Sequence, residues 1–325
     1  MFFEGRIFNM RKTIRKFIIS FSLILFVVAT PAYHAAAEPV WINPPLLYEI
    51  KDYPDTGYFQ ILISAAVNQS SGELYILSTS PDAISIYDSA TGIPRRQIPL
   101  KTELMDGDAV CKCGDTLWLI HNRLLYEVDD RGELLSPWDQ PTKMAPSFDG
   151  AICDRLDYLF LFNSYEAAVR RYSPTGELSW KKSSAEPELK KGVDFPVKRI
   201  NDATVDYFGR LFVLDSELRR ILPFSEDGRP MVQISGDSFS DVPFPYDSPT
   251  IAIDSDKKIW MLNTSENTLD GYNMFGGLDF RIDSDTDMGP RFLTPEDIFI
   301  DEEDRLYVID SSSSSVLVFD LKSGY

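Results

Sequence analysis

The stretch INDATVDYFGRLFVLDSELRRILPFSEDGRP, residues 200–230, holds three strand-like runs joined by tight turns. Ala203 to Val205 is the first, followed by Asp206 and a turn that ends at Gly209. Leu211 to Leu214 is the second, closed by Asp215 and Ser216, and Arg219 to Phe224 is the third, before a turn at Gly228. Three short strands make a meander, which needs neighbours on both faces to be stable. A unit of this kind is expected to recur.

It recurs along the chain. The second strand reads LYILS from Leu74, LWLIH from Leu117, LFLFN from Leu159, LFVLD from Leu211, IWMLN from Ile259 and LYVID from Leu306. Successive starts lie 43, 42, 52, 48 and 47 residues apart, which is the period of a propeller blade. An aromatic follows thirteen residues after the start in five copies, as Tyr87, Tyr172, Phe224, Tyr272 and Phe319; Val128 stands for it in the second. A glycine follows in every copy, at 92, 132, 176, 228, 276 and 324. The aromatic reads as a plug between neighbouring sheets, and the glycine as a positive-φ residue in the turn to the outermost strand. Asp154, Asp206, Asp254 and Asp301 each stand five residues before a start. They read as acceptors for backbone N–H groups in the turn between the first two strands.

These landmarks resemble the NHL repeat family of six-bladed propellers. The matching stretches are VDYFGRLFVLDSELRRILPFSEDG, residues 205–228, and FIDEEDRLYVIDSSSSSVLVFDLKSG, residues 299–324. The resemblance implies an all-β, six-bladed β-propeller and leaves function open. The chain ends just after the last turn glycine, so the sixth copy lacks an outermost strand. LLYEIK, residues 46–51, has no copy of its own and is expected to complete that blade, closing the ring from the N-terminal side.

Residues 1–37 stand apart from the repeats. Arg11, Lys12, Arg15 and Lys16 precede an apolar run, Phe17 to Thr30, and Ala35 to Ala37 offer small residues before a cut at Glu38. This reads as a cleaved secretory signal, with an uncleaved anchor as the alternative, and Met10 begins a more typical signal than Met1. The expected products are a propeller over residues 38–325, a secreted or periplasmic location, and no membrane span after cleavage. The whole chain carries 32 basic and 50 acidic residues, a formal charge of −18; without residues 1–37 it falls to roughly −22. Such a surface excludes nucleic acid as a partner. A monomer that binds a protein or an extracellular ligand is the expected state.

Three readings concern chemistry. The residues leading into the innermost strands ring one mouth of the channel, and they include Asp108, Asp149, Asn201, Asp202, Glu296 and Asp297. Hard oxygen ligands suit Ca²⁺ or Mg²⁺; the alternative is that each carboxylate caps its own turn. Asn201–Asp202 bears a similarity to gluconolactonase-type propellers, which implies a metal-dependent hydrolase, although the first copy offers Ile61 to Ser64 with no Glu. The second reading places partner contacts on Phe239, Phe244 and Tyr246, in a Pro-rich connection between copies. The third concerns histidine and cysteine. His34 and His121 are the only histidines, which excludes propeller lyases built on several His, and His121 sits where other copies carry turn-capping Ser78, Asn163, Asp215, Asn263 and Asp310. Cys111 and Cys153 occupy equivalent positions, which are ordinarily too far apart to bridge; buried free thiols are expected, with a pairing through Cys113 as the alternative.

Overall fold

The computed structural model describes residues 38–54, 57–105, 108–137, 147–184, 197–235, 244–245, 250–286 and 289–324. Residues 38–325 form one compact unit. Within it are five four-stranded sheets and one five-stranded sheet, each a blade of a six-bladed β-propeller. Blade 4 contains the defining stretch, with strands Asp202–Val205, Leu211–Asp215, Arg220–Phe224 and Ile234–Ser235 paired antiparallel in order. The second strand of each blade carries the repeated apolar run because it is covered on both faces. Phe212 to Leu214 are at most 1% exposed, for example.

Six apolar clusters fill the gaps between adjacent blades, and each contains one repeated plug. Tyr87 packs with Tyr307 and Val316 between blades 6 and 1, and Val128 with Leu77 between 1 and 2. Tyr172, Phe224, Tyr272 and Phe319 do the same at the next four gaps. The cluster between blades 6 and 1 closes the ring. Leu46–Ile50 pairs antiparallel with Ser315–Asp320, Leu46 opposite Phe319 and Ile50 opposite Val316. The last blade is thus finished from the N-terminal side, as expected. A further strand was not expected: Val40–Trp41 adds in parallel to Leu278–Asp283, making blade 5 five-stranded. Two residues are too few to show an alternation.

The turn acid acts as its position implies. Asp206 Oδ1 accepts N–H bonds from Phe208 and Arg210 at 3.0 and 2.9 Å, and Asp301 Oδ1 accepts from Glu303 and Arg305 at 3.1 and 2.9 Å. The second oxygen of Asp301 receives Arg305 Nε at 2.6 Å and Tyr307 OH at 2.9 Å. Asp301→Ala removes the turn acceptor and one acceptor each from Arg305 and Tyr307, which keep Glu303 and the Ser89 carbonyl. It is expected to cost about 3 kcal/mol, read as a shift in the denaturation midpoint.

Gly92, Gly132, Gly176, Gly228 and Gly276 have positive φ, as their turns require. Gly324 does not belong to that set. Its side chain is excluded because a Cβ there would stand 2.9 Å from the Pro44 Cα. Trp118 and Trp260 are core residues. Trp180 packs edge-on against Phe160 and donates to the Glu226 carbonyl at 2.9 Å across the blade 3–4 gap.

The expectation of free thiols is corrected. Cys113 and Cys153 form a disulfide with a Cα separation of 5.3 Å, tying the innermost strands of blades 2 and 3, while Cys111 is free and buried. Burial pushes the Cys111 thiol up to about 12. Phe244 is also corrected: it is 1% exposed and packs edge-on against Tyr272 at 4.7 Å, so its ring belongs to the blade 4–5 core and is closed to a partner. Phe239 and Tyr246 lie outside the described residues. Among the described residues, no helix is long and apolar enough to cross a membrane.

Candidate functional site

The first strand of each blade faces the axis. Ile61–Asn68, Ala109–Cys113, Gly150–Cys153, Asp202–Val205, Ile251–Ile253 and Pro295–Ile300 surround a cavity of about 490 Å³. Val110, Ala203, Ile251 and Ile298 are among its lining residues, but their side chains are buried in the clusters between blades. All six candidate residues line it: Asp108, Asp149, Asn201, Asp202, Glu296 and Asp297. They stand at the end where the inner strands begin, here termed the upper mouth.

The six share one wall without converging on one point. Asp108 Oδ2 accepts from the Met105 N–H at 2.8 Å and lies 3.0 Å from His121 Nδ1. Asp149 accepts from the Ser164 N–H at 2.6 Å and pairs with Arg123 at 3.1 Å. Glu296 is open to water, and the Asn201 N–H bonds the Leu214 carbonyl across its own blade. Among the described residues, no three carboxylate, His or Cys side chains come together in an arrangement able to hold a metal ion. Several of these carboxylates already have backbone or side-chain partners, Asp108 with Met105 and His121, and Asp149 with Ser164 and Arg123.

Two of the six do meet, through a residue whose role the sequence did not disclose. Thr250 Oγ1 lies 2.9 Å from Asp202 Oδ2 and 2.7 Å from Asp297 Oδ1, joining blades 4, 5 and 6. Asp202 is otherwise saturated, with Oδ2 accepting the Ile251 N–H and Oδ1 the Ala203 N–H, both at 2.8 Å. Asp297 Oδ1 accepts the Ile298 N–H at 2.8 Å. One hydroxyl carries one proton, so Thr250 can donate to only one of the carboxylates. The other short O···O contact requires a proton on a carboxyl. Burial, and then the Asp297 charge, push Asp202 up to about 7. Burial also raises Asp297, to about 6, against the lowering effect of its bonds from Thr250 and Ile298. The two titrate as a unit, and the proton is assigned to the pair.

His121 caps by a relay. In blades 3, 4 and 6, Asn163, Asp215 and Asp310 bond both the incoming loop and the following turn directly. In blade 2 the loop N–H of Met105 goes to Asp108, and Asp108 meets His121. Asn122 Nδ2 stands 2.8 Å from His121 Nε2. The imidazole is thus held from both sides.

No protein-family model matches the chain, and no curated protein matches it. Among solved structures, virginiamycin B lyase from Staphylococcus aureus superposes with a TM-score of 0.54 at 13% identity, over 84% of this chain and 98% of that one. A streptogramin B lyase superposes with a TM-score of 0.53 at 10% identity, over 83% of this chain and 96% of that one. At these identities the likeness is one of fold alone, and it agrees with the six-bladed propeller.

Proposed function

We propose that the chain is a non-enzymatic, NHL-like binding propeller whose channel takes the positively charged group of a ligand at the upper mouth. The observation that carries this reading is the cavity of about 490 Å³ whose upper rim is set with carboxylates from blades 2, 3, 4 and 6. A cavity of that size suits a small ligand or the tip of a protein segment. The fields of carboxylates gathered round a concave mouth add, so a cation gains more there than beside a single carboxylate on the open surface. A secreted or periplasmic location is part of the proposal. The pattern of residues 1–37 and the Cys113–Cys153 disulfide both support it, since such bonds persist in oxidising compartments. The lyase names of the two structural neighbours find little support in the lining, which holds no histidine among the described residues.

The test is calorimetry with putrescine and arginine methyl ester, with succinate as the anionic control. Saturable binding of the two cations is expected. It should tighten about tenfold from pH 5.5 to 7.5, as the shared proton leaves and the rim gains a charge. Asp297→Asn should weaken that pH dependence and move it to lower pH, because only Asp202 is left to titrate. No cation binding, or equal binding of succinate, would sink the reading. The second reading, a metal-dependent hydrolase, rests on the fact that all six candidate ligands line one cavity. Its test is Ca²⁺ in the same cell. A Ca²⁺-induced rise in Tm that Asp297→Asn abolishes would reverse the ranking.

A further inference from the structure

The opposite, lower mouth of the channel is formed by the turns after the inner strands, and its chemistry is different. Blade 3 contributes Arg155 and Leu156, blade 4 Tyr207 and Phe208, and blade 5 Lys257. Leu156, Tyr207 and Phe208 are 54%, 48% and 51% exposed. The two rings meet edge to face at 5.5 Å. The Arg155 guanidinium lies 4.0 Å above the Tyr207 ring, and the Lys257 ammonium lies 5.3 Å from the Phe208 ring. Arg210, the third cation here, is committed to Asp206 at 2.7 Å. Arg155 and Lys257 have no carboxylate partner among the described residues; each has a ring beneath it instead.

In a chain with 50 acidic and 32 basic residues, two cations of neighbouring turns that sit on rings and not in ion pairs stand out. Exposed Tyr, Phe and Arg side chains are the kind that anchor protein interfaces, and a cation held over a ring keeps its N–H groups free for an incoming carboxylate. The net charge of −18 argues against an anionic bilayer or nucleic acid as the occupant. For a small segment the remote charges matter less. At physiological ionic strength they are screened beyond about 8 Å, and the two local cations decide the contact.

We propose that this sector of the lower mouth docks an acidic peptide segment of a partner protein. Carboxylates would sit on Arg155 and Lys257, and an apolar side chain on Leu156 and Phe208. This surface lies at the other end of the cavity from the carboxylate rim, although Arg155 and Tyr207 also line that cavity, and its test contains no channel ligand.

The propeller itself supplies variants that should fold. Lys257 has a φ of 66°, the left-handed conformation that Gly209 holds at 73° in the same turn of blade 4. Lys257→Gly therefore removes the cation and relieves the backbone. Arg155→Ser copies Ser255, and Phe208→Asp copies Asp256, from the equivalent turn of blade 5. The probe is a short fluorescein-labelled peptide that repeats Glu-Asp-Leu-Phe, followed by anisotropy. Saturable binding is expected, about tenfold weaker for Arg155→Ser with Lys257→Gly and for Phe208→Asp, with Tm unchanged or higher. A peptide with Lys in place of the acids should not bind. The proposal is overturned if the wild-type chain shows no saturation at about 1 mM, or if the double variant binds equally well. Sedimentation that shows a dimer dispersed by Phe208→Asp would replace the peptide with a second copy of this chain. Retention on anionic vesicles would replace it with a membrane.

Discussion

A chain that begins at Asp52, and so lacks residues 38–51, is expected to lose its cooperative fold. The reason is the way the ring closes. Leu46–Ile50 is the outermost strand of blade 6, and without it Ser315–Asp320 becomes an open edge of an apolar sheet. Ile50 is 4% exposed in the cluster between blades 6 and 1, and Ile42 is 8% exposed in the cluster between blades 5 and 6. Removing the two side chains forfeits about 3–6 kcal/mol of burial, and each lost ladder bond adds about 1 kcal/mol. The sum is comparable with the whole stability of an ordinary domain, about 5–15 kcal/mol. The Tyr48 hydroxyl also bonds the Ser89 carbonyl of blade 1, so the strand ties the first blade to the last. Circular dichroism should show no sigmoidal melt, and sizing should show aggregates, because an open edge pairs with other chains. A truncated chain that melts cooperatively within about 5 °C of the full one would refute closure as the source of stability.

Acidity should stabilise this protein, against the usual trend for carboxylates. Asp202 and Asp297 are raised from 3.8 to about 7 and about 6 in the folded chain. A carboxyl with a raised folded pKa binds its proton more tightly folded than unfolded. Its ionisation therefore opposes folding. The penalty is absent below the unfolded value near 4, grows as pH rises, and is complete above about 7. With partial exposure and coupling discounted, the pair accounts for about 4 kcal/mol across that window. Asp202 and Asp297 meet at the Thr250 bridge, and the charge of exposed Glu296 raises Asp297 further.

The two amide variants should differ. In Asp297→Asn the oxygen can keep the Thr250 and Ile298 contacts, so the variant imitates the protonated acid. It should be more stable than wild type at pH 8 and equal to it near pH 4. In Asp202→Asn, both carboxylate oxygens face a backbone N–H, from Ala203 and Ile251, so the new NH₂ must oppose a donor. That variant should lose stability at every pH. Chemical denaturation from pH 4 to 8 checks both expectations; a wild-type midpoint that stays flat or rises through that range would contradict them.

The repeat made most of the fold legible. Strand two, the plug and the turn acid recur because every blade solves the same packing problem, and one well-matched copy gives the register of the rest. Closure was legible because the sixth copy lacks a strand and Leu46 to Lys51 has no copy. The disulfide was not. Counting back from Leu117 and Leu159 equates Cys111 with Cys153, but the ladders pair Leu117 with Lys112 and Leu159 with Cys153. The turn of blade 2, Gly114 and Asp115, is shorter than its neighbours, and this moves Cys113 beside Cys153.

At the upper mouth the carboxylates were visible as a column of aligned residues. Thr250 stood in that column between Asp202 and Asp297, and a hydroxyl flanked by two acids on adjacent blades was the available signal. What no sequence pattern contains is the distance that lets one hydroxyl reach both. Phe244 was misread because its Pro-rich, polar surroundings resemble an exposed connection, whereas its ring folds back onto Tyr272.

The central claim is that Asp202, Thr250 and Asp297 hold one shared proton near neutral pH at the channel mouth. The most direct measurement is the pH titration of the carboxyl ¹³C resonances of Asp202 and Asp297 by NMR. The account predicts that the two shift together, with midpoints near 6 and 7, and that Asp297→Asn lowers the remaining midpoint at Asp202. Two independent titrations, both near 4, would contradict it.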